Sequence, residues 1–500
     1  MTPAADLPLW QTLLARARST PRAPLLHSAR RQLDAGALVT AVEHAADTLR
    51  RSGVRRLALR ADNGPAWVVV DLACQLAGVP LVPLAPYFSP QQTGHALQAA
   101  GCDALAAARP RWPGSPLDAG QAAAGELAGL PFWHLPAVPA PVPAGTAKIT
   151  FSSGSTGAPK GVCLSADHPQ RVADSLAQMI ALPGVRHLCL LPLATLLENV
   201  GGIYAPLLSA GSVQLPALAE IGLAGTGGLD LRRLTAAIDR HQPHSLILVP
   251  ALLQALLAAM SRGWRPPRSL RFVAVGGARV APAQIIAARR GGLPVYEGYG
   301  LSECASVVSL NTPGADRPGS AGRPLGHLQL RARDGELEIG GSGFLGYLGA
   351  PHGDPAAVVR TGDLGHLDDD GFVHVHGRRD NLIVTAFGRN VSPEWVETEL
   401  LAGPLLSEAV VFGSAQPYCV ALLGAPPAST DAAIDTWVRR ANAGLPEHAR
   451  IGAWARLPEP LRATPGLLTG NGRPRRAAIA HHYATHLASL YPQTVELCPS

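Results

Sequence analysis

Lysine is almost missing from this chain of 500 residues. It occurs only at Lys148 and Lys160, so 40 of the 42 basic residues are arginine. Charge is also sparse, at 16% of residues, and no long Lys/Arg run exists. The net charge of +6 is therefore a diffuse excess, suited to steering phosphate-bearing ligands. Nucleic-acid binding, which needs a concentrated basic face, is not expected. No Cys-x-x-Cys spacing is present, and the seven cysteines (74, 102, 163, 189, 304, 419 and 498) are scattered and odd in number. That pattern excludes a disulfide framework and reads as reduced thiols of a cytoplasmic protein. Long apolar runs are lacking too. The longest, residues 66–85, is interrupted by Asp71, Gln75 and two prolines, so it reads as a buried helix and strand and no membrane span is expected. The first residues, Met1-Thr-Pro-Ala-Ala-Asp, lack the charged-then-apolar layout of a secretory leader, and residues 9–18 read as a short amphipathic helix.

Apolar residues make up 47% of the chain, and its length exceeds one ordinary core, so at least two domains are expected. Strand-like and helical patterns alternate through the first three-quarters: Leu57-Ala-Leu, a helix around residues 66–76, Leu81-Val-Pro-Leu, and a helix near residues 91–100. Further strands are read at Lys148-Ile-Thr-Phe, Leu188-Cys-Leu-Leu, Ser245-Leu-Ile-Leu-Val and Phe272-Val-Ala-Val. This is the pattern of parallel sheets flanked by helices. Five prolines between Pro131 and Pro143 predict an extended connector. From Gly335 onward the pattern becomes short strands with Gly/Asp turns, including Gly371-Phe-Val-His-Val-His-Gly.

The segment Thr150-Phe-Ser-Ser-Gly-Ser-Thr-Gly-Ala-Pro-Lys160-Gly-Val gathers hydroxyls, glycines and one lysine behind a strand. Glycines let backbone N–H groups turn inward around an anion, hydroxyls add donors, and the ammonium adds a mobile point charge. A Walker loop needs Gly-Lys-Ser/Thr, whereas Lys160 follows Pro159, so the loop holds phosphate in another way. Tyr296-Glu-Gly-Tyr-Gly-Leu-Ser-Glu303, Gly335-Glu-Leu-Glu-Ile-Gly-Gly with Gly346-Tyr-Leu, and Arg360-Thr-Gly-Asp-Leu364 come after it. Gly377-Arg-Arg-Asp-Asn-Leu-Ile383, Gly388-Arg-Asn-Val-Ser-Pro-Glu394 and Thr469-Gly-Asn-Gly-Arg-Pro-Arg-Arg476 complete the series. In this order the segments resemble the adenylate-forming superfamily: acyl- and aryl-CoA synthetases, firefly luciferase and the adenylation domains of peptide synthetases. The resemblance covers almost the whole chain.

It implies a large N-terminal α/β domain, 1–380, and a smaller mobile C-terminal α+β domain, 381–500, joined at a hinge whose position matches Asp380. It also implies ATP and Mg²⁺ as cofactors and coenzyme A as co-substrate. Ser152, Ser153, Gly154, Ser155, Thr156 and Gly157, with Lys160, would clamp the outer phosphates, and Glu303 would hold the metal. Ser302 matches a hydroxyl near the α-phosphate, Tyr299 the aromatic on adenine followed by Gly300, and Gly277-Ala278 the backbone wall of the adenine cleft. Asp363 matches the ribose carboxylate, a group that offers a diol only acceptors. Arg378 matches the arginine on the ribose and phosphate side.

Two departures stand out. The family's late lysine, which contacts carboxylate and α-phosphate, is here Arg473. Where many relatives carry an aromatic or histidine before the acyl pocket, this chain reads Pro192-Leu-Ala-Thr-Leu-Leu-Glu198-Asn199-Val-Gly-Gly-Ile-Tyr204. Leu196, Leu197, Gly201, Ile203 and Tyr204 are candidate pocket walls, and Glu198 and Asn199 are read either as supports, the favoured reading, or as readers of the acid's tail.

The expected function is an AMP-forming acid–thiol ligase for a fatty or aryl acid with coenzyme A as acceptor. Alternatives are transfer to a separate acyl carrier protein, an adenylate-binding protein impaired by Arg473, and an oxygenase of luciferase type. Three other motifs are weaker. Gly341-Ser-Gly343-Phe-Leu-Gly346 fits a dinucleotide fingerprint but lacks the following helix pattern. His366, His374 and His376 have no cysteine near them and read as a strand face rather than a zinc site. Gly340-Gly-Ser-Gly sits in a strand–turn block, unlike a phosphopantetheine attachment site.

Overall fold

A computed structural model describes residues 6–86, 88–108, 115–117, 121–136, 140–152, 160–223, 228–350, 358–469 and 472–491. Two large sheets dominate the N-terminal part. In the nine-stranded sheet, Val295–Tyr299, Phe272–Val275, Ser245–Leu248, Arg186–Leu188, Ser212–Gln214 and Pro24–His27 run parallel side by side. The eight-stranded sheet centres on Lys148–Ser152, Leu81–Pro83, Leu57–Arg60 and Ala104–Ala107, again parallel. Strands such as Ser245–Leu248 and Ala104–Ala107 are buried along their whole length, because helices cover the faces of a parallel sheet.

The helix Ala35–Ser52 shows how sequence sets these layers. The Asp34 side chain accepts from the Ala37 N–H at 2.8 Å, Gly53 ends the helix at φ 68°, and Leu38, Val42, Ala45 and Leu49 form its buried stripe. The stripe packs on the helix Pro65–Ala77, which is itself buried almost all round. That helix carries Asp71 and Gln75 one turn apart into the core.

Asp71 forms an ion pair with Lys148, Oδ1 to Nζ 2.7 Å, and both side chains are at most 4% exposed. Tyr204 donates to the second Asp71 oxygen at 2.6 Å, as does the Asn199 amide at 2.9 Å. Lys148 also donates to Asn199 at 2.5 Å and to the Tyr204 hydroxyl at 3.0 Å, which accepts from Gln75 at 2.6 Å. One of the two lysines thus ties three elements together: the helix Pro65–Ala77, the strand that enters the phosphate loop, and the helical segment 196–208. Tyr204 is accordingly a core residue, fully buried, and not an acyl-pocket wall.

Two strand readings are corrected. The strand read at Leu188 is Arg186–Leu188, because its ladder runs against Ser212–Gln214 and Ser245–Leu246 and the chain turns away before Pro192. The proline-rich connector begins as a strand, Leu130–His134, with Pro131 facing the short outermost strand Gly125–Leu127.

A four-stranded sheet follows, Gln329–Arg333, Glu336–Gly340, Val359–Leu367 and Val373–Arg378. The glycines of residues 341–346 lead into the strand Gly346–Tyr347, paired with Lys160–Leu164, so the dinucleotide fingerprint is followed by a strand. A 3₁₀ turn, Arg379–Asn381, then hands the chain to a small domain built on Glu408–Phe412, Cys419–Gly424 and Ile451–Arg456. Its core is separate, and Arg476 joins the helix Arg476–His482 to it by a bidentate contact with Glu397 at 2.5 and 2.6 Å. The six described cysteines are all unpaired and buried. No helix among the described residues is long and apolar enough to cross a membrane.

Candidate active site

A cleft of about 2720 Å³ opens at the carboxyl ends of the nine-stranded sheet, between it, the four-stranded sheet and the small domain. Its size exceeds the ~300–1,000 Å³ of a single small-molecule site, so it has room for more than one ligand. The topology explains its place. Parallel strands deliver their ends to one edge, and the loops beyond them supply the functional groups.

On one wall the Tyr299 hydroxyl, at the end of the strand Val295–Tyr299, donates to Asp363 at 2.6 Å. Arg378 holds the other Asp363 oxygen, Nε to Oδ1 2.9 Å, and donates to the Thr361 carbonyl at 3.1 Å. Burial raises the Asp363 pKa, and Arg378, Tyr299 and Arg473 pull it back toward the ionised form. Burial and the Asp363 charge push the Tyr299 phenol up, so it remains a donor. Gly300 has no room for a side chain, since a Cβ there would stand 1.6 Å from the Ser306 carbonyl oxygen.

Across the cleft, Lys160 lies 5.8 Å from the centre of the Tyr347 ring, and the Tyr347 hydroxyl donates to Glu303 at 2.7 Å. Glu303 and Ser302 sit in the 3₁₀ turn Ser302–Cys304, where the chain leaves the sheet edge. Glu303 uses one oxygen for Tyr347, and its carboxylate is a hard oxygen donor of the kind that would hold Mg²⁺. Tyr347 went unassigned in the sequence although it stands in the Gly346-Tyr-Leu segment; its contact with Glu303 spans 44 residues. Ser153, Gly154, Ser155, Thr156 and Gly157 lie outside the described residues, and Ser152 closes the strand before them.

Arg473 reaches this site from the small domain. Its guanidinium donates to the Gly277 carbonyl, with Gly277 at φ 88° and Ala278 beside it on the cleft wall. The side chain is open to the cleft yet ringed by protein. That crowding and the Arg378 charge lower its pKa, against Asp363 and Glu394. Asp380 lies exposed in the 3₁₀ turn Arg379–Asn381, between the two domains.

Of the candidate acyl walls, Leu196, Leu197 and Gly201 line the cleft. Ile203 and Tyr204 do not; both are wholly buried in the core on the other side of the segment. Sequence reasoning missed His187 and Ser245, which line the cleft from adjacent strands. His187, Cys189 and Glu198 bring ligand-type atoms within 4.8 Å of one another. Each Glu198 oxygen has a hydrogen-bond partner, His187 at 2.8 Å and the Leu191 N–H at 3.0 Å, so the buried carboxylate is satisfied by protein groups. The Glu198 reading as a support agrees with that geometry. His366, on the strand Val359–Leu367, stacks against His374 and His376 of the neighbouring strand Val373–Arg378, with His366 Nδ1 2.9 Å from His376 Nε2 and His374 against Asp368.

The family profile described as AMP-binding enzyme matches residues 13–348, and the AMP-binding enzyme C-terminal domain matches 380–495. The chain is an AMP-binding enzyme. A long-chain-fatty-acid–CoA ligase of Mycobacterium bovis is 30% identical over 417 residues, covering 69% of each chain. The enzyme is 29% identical over 437 residues to a feruloyl-CoA synthase of Amycolatopsis sp., covering 80% of this chain and 84% of that one. Among solved structures it superposes on an o-succinylbenzoate CoA synthetase of Bacillus subtilis in complex with its acyl-adenylate intermediate. The TM-score is 0.74 at 22% identity, over 94% of this chain and 97% of that one. This last likeness is one of fold: a large α/β part with a small C-terminal domain.

Proposed function

We propose that this AMP-binding enzyme is an AMP-forming acid–thiol ligase that activates a fatty or aryl carboxylic acid as its adenylate and passes the acyl group to coenzyme A. The reading rests most on Arg473. A cation from the small domain meets the Gly277 wall in the same cleft as the Asp363–Arg378–Tyr299 group and the Lys160–Tyr347–Glu303 group. In the first half-reaction the carboxylate oxygen attacks the α-phosphorus and pyrophosphate leaves. In the second, a thiolate attacks the acyl carbon and AMP leaves.

In this reading Asp363 would offer acceptors to a ribose diol, Lys160 would contact the outer phosphates, Glu303 would hold Mg²⁺, and Arg473 would balance charge gathering at the α-phosphate. Two fitted relatives are named as CoA ligases, one for fatty and one for aryl acids, which supports coenzyme A over a carrier protein. ATP–pyrophosphate exchange across fatty and aryl acids tests the first half-reaction. Acid-dependent exchange, followed by AMP and thioester release on adding coenzyme A, is the expected result. Absence of exchange with every acid would refute it.

A further inference from the structure

The acid side of the cleft carries a polar chain that the adenylation chemistry does not use. His187 and Ser245 are register partners on adjacent parallel strands, and His187 Nδ1 lies 2.9 Å from Ser245 Oγ. On its other side His187 Nε2 is 2.8 Å from Glu198 Oε1, while Glu198 Oε2 accepts from the Leu191 N–H at 3.0 Å. Glu198 lies behind the wall; His187 and Ser245 line the cleft among Leu197, Gly201, Ile247 and Ala274, with His187 1% exposed and Ser245, at 7%, the more open of the two. The strand Ser245–Leu248 begins at this chain and ends at the nucleotide edge. Three residue steps along it span ~10 Å, about the length of a mid-sized acid.

We infer that Ser245, held by His187 and Glu198, reads a hydroxyl at the far end of the acid, so that hydroxylated fatty or aryl acids are the preferred substrates. The inference rests on the ligase reading above. Glu198 Oε1 takes the His187 Nε2 proton and Oε2 takes the Leu191 N–H. With a neutral imidazole, Nδ1 takes the Ser245 proton and the Ser245 lone pairs face the cleft. With an imidazolium, Nδ1 donates to Ser245 and the serine proton faces the cleft. A ligand hydroxyl, donor and acceptor at once, satisfies either arrangement. A plain hydrocarbon tail satisfies neither and strips water from Ser245 without replacement. A site built to hydrogen-bond a substrate hydroxyl discriminates against the analogue lacking it more strongly than an apolar slot discriminates by size.

The test compares matched acids: 4-hydroxycinnamate with cinnamate, and 10-hydroxydecanoate with decanoate, by ATP–pyrophosphate exchange. The wild type is expected to favour the hydroxylated member of at least one pair by about tenfold in kcat/KM, the worth of one neutral hydrogen bond. Ser245→Ala should collapse that ratio toward one, and Ser245→Thr, which keeps the hydroxyl, should retain it. Equal rates within both pairs, or a ratio unchanged in Ser245→Ala, would overturn the inference. If no acid supports exchange the ligase reading fails, and calorimetric binding of the same pairs to wild type and Ser245→Ala still decides the hydroxyl preference.

Discussion

Arg473 is where residue chemistry decides most. A planar guanidinium and a compact ammonium reach an oxygen differently, so Arg473 replaces the family lysine without being its equivalent. Here it spans the domains and meets the Gly277 carbonyl beside Asp363. A working cation in that pose acts on adenylation, so Arg473→Ala should suppress pyrophosphate exchange more than thioester formation from preformed adenylate. Arg473→Lys should keep or raise exchange. Exchange untouched by Arg473→Ala but greatly raised by Arg473→Lys would instead mark a crippled adenylator. Lys160→Ala and Glu303→Ala should each lower kcat/KM by ~2–4 kcal/mol in barrier terms with melting temperatures near wild type, since both act on charge at phosphate and metal. Glu297 behaves differently. Burial raises its pKa from 4.5 to about 7, only partly offset by the Val280 N–H and Arg279. The folded state therefore binds this proton more tightly than the unfolded one, and stability falls as pH rises from about 4.5 to about 7. Glu297→Gln keeps a Val280 acceptor and removes the charge. Thermal melts should show it raising Tm at pH 8 and leaving it nearly unchanged at pH 4.5; equal shifts at both would sink the assignment.

At the scale of elements, the sequence disclosed ordered motifs and missed pairings. The helix Pro65–Ala77 and the strands Lys148–Ser152 and Phe272–Val275 follow from local periodicity. The Glu303 and Asp363 segments were legible as matches to the family's motifs, because each motif is contiguous. Lys148–Asp71, Tyr347–Glu303 and Ser245–His187 join residues 77, 44 and 58 positions apart, and only sheet order brings them together. Tyr204 was misplaced for that reason: apolar flanks suggested a pocket wall, while Asp71 and Lys148, both distant in sequence, draw its hydroxyl inward. Two substitutions test these pairings. Lys148→Met leaves the Asp71 carboxylate buried without its cation and should cost about 3–5 kcal/mol, with the double variant Asp71→Asn/Lys148→Met recovering part of the loss in denaturant titrations. Gly202→Ala places a Cβ 2.2 Å from Glu198 Oε1 and 2.8 Å from His187 Nε2, so it should lower stability by ~1–3 kcal/mol through displacement of that pair.

For the whole molecule, the question is how one cleft serves two reactions. The small domain touches the cleft wall at Gly277 through Arg473, and Gln284 and Gln254 donate to the Leu401 and Leu406 carbonyls at 3.1 and 3.3 Å. These contacts are few and polar, as expected of surfaces that part and meet again. If the enzyme runs both half-reactions of the proposed ligase, thiol entry calls for a second arrangement of the small domain. The sole covalent path between the two parts runs through the turn Arg379–Asn381. Arg379 is anchored to Glu336 of the large part at 3.2 Å, and Asn381 donates to Glu394 of the small one at 2.5 Å, leaving exposed Asp380 between two held neighbours. Rotation at Asp380 would move the domain with least disturbance to either core. Asp380→Pro fixes φ near −65° and removes an N–H. Pyrophosphate exchange should persist in this variant while thioester formation from adenylate and coenzyme A falls at least tenfold. An equal loss of both half-reactions would place the pivot elsewhere in the chain.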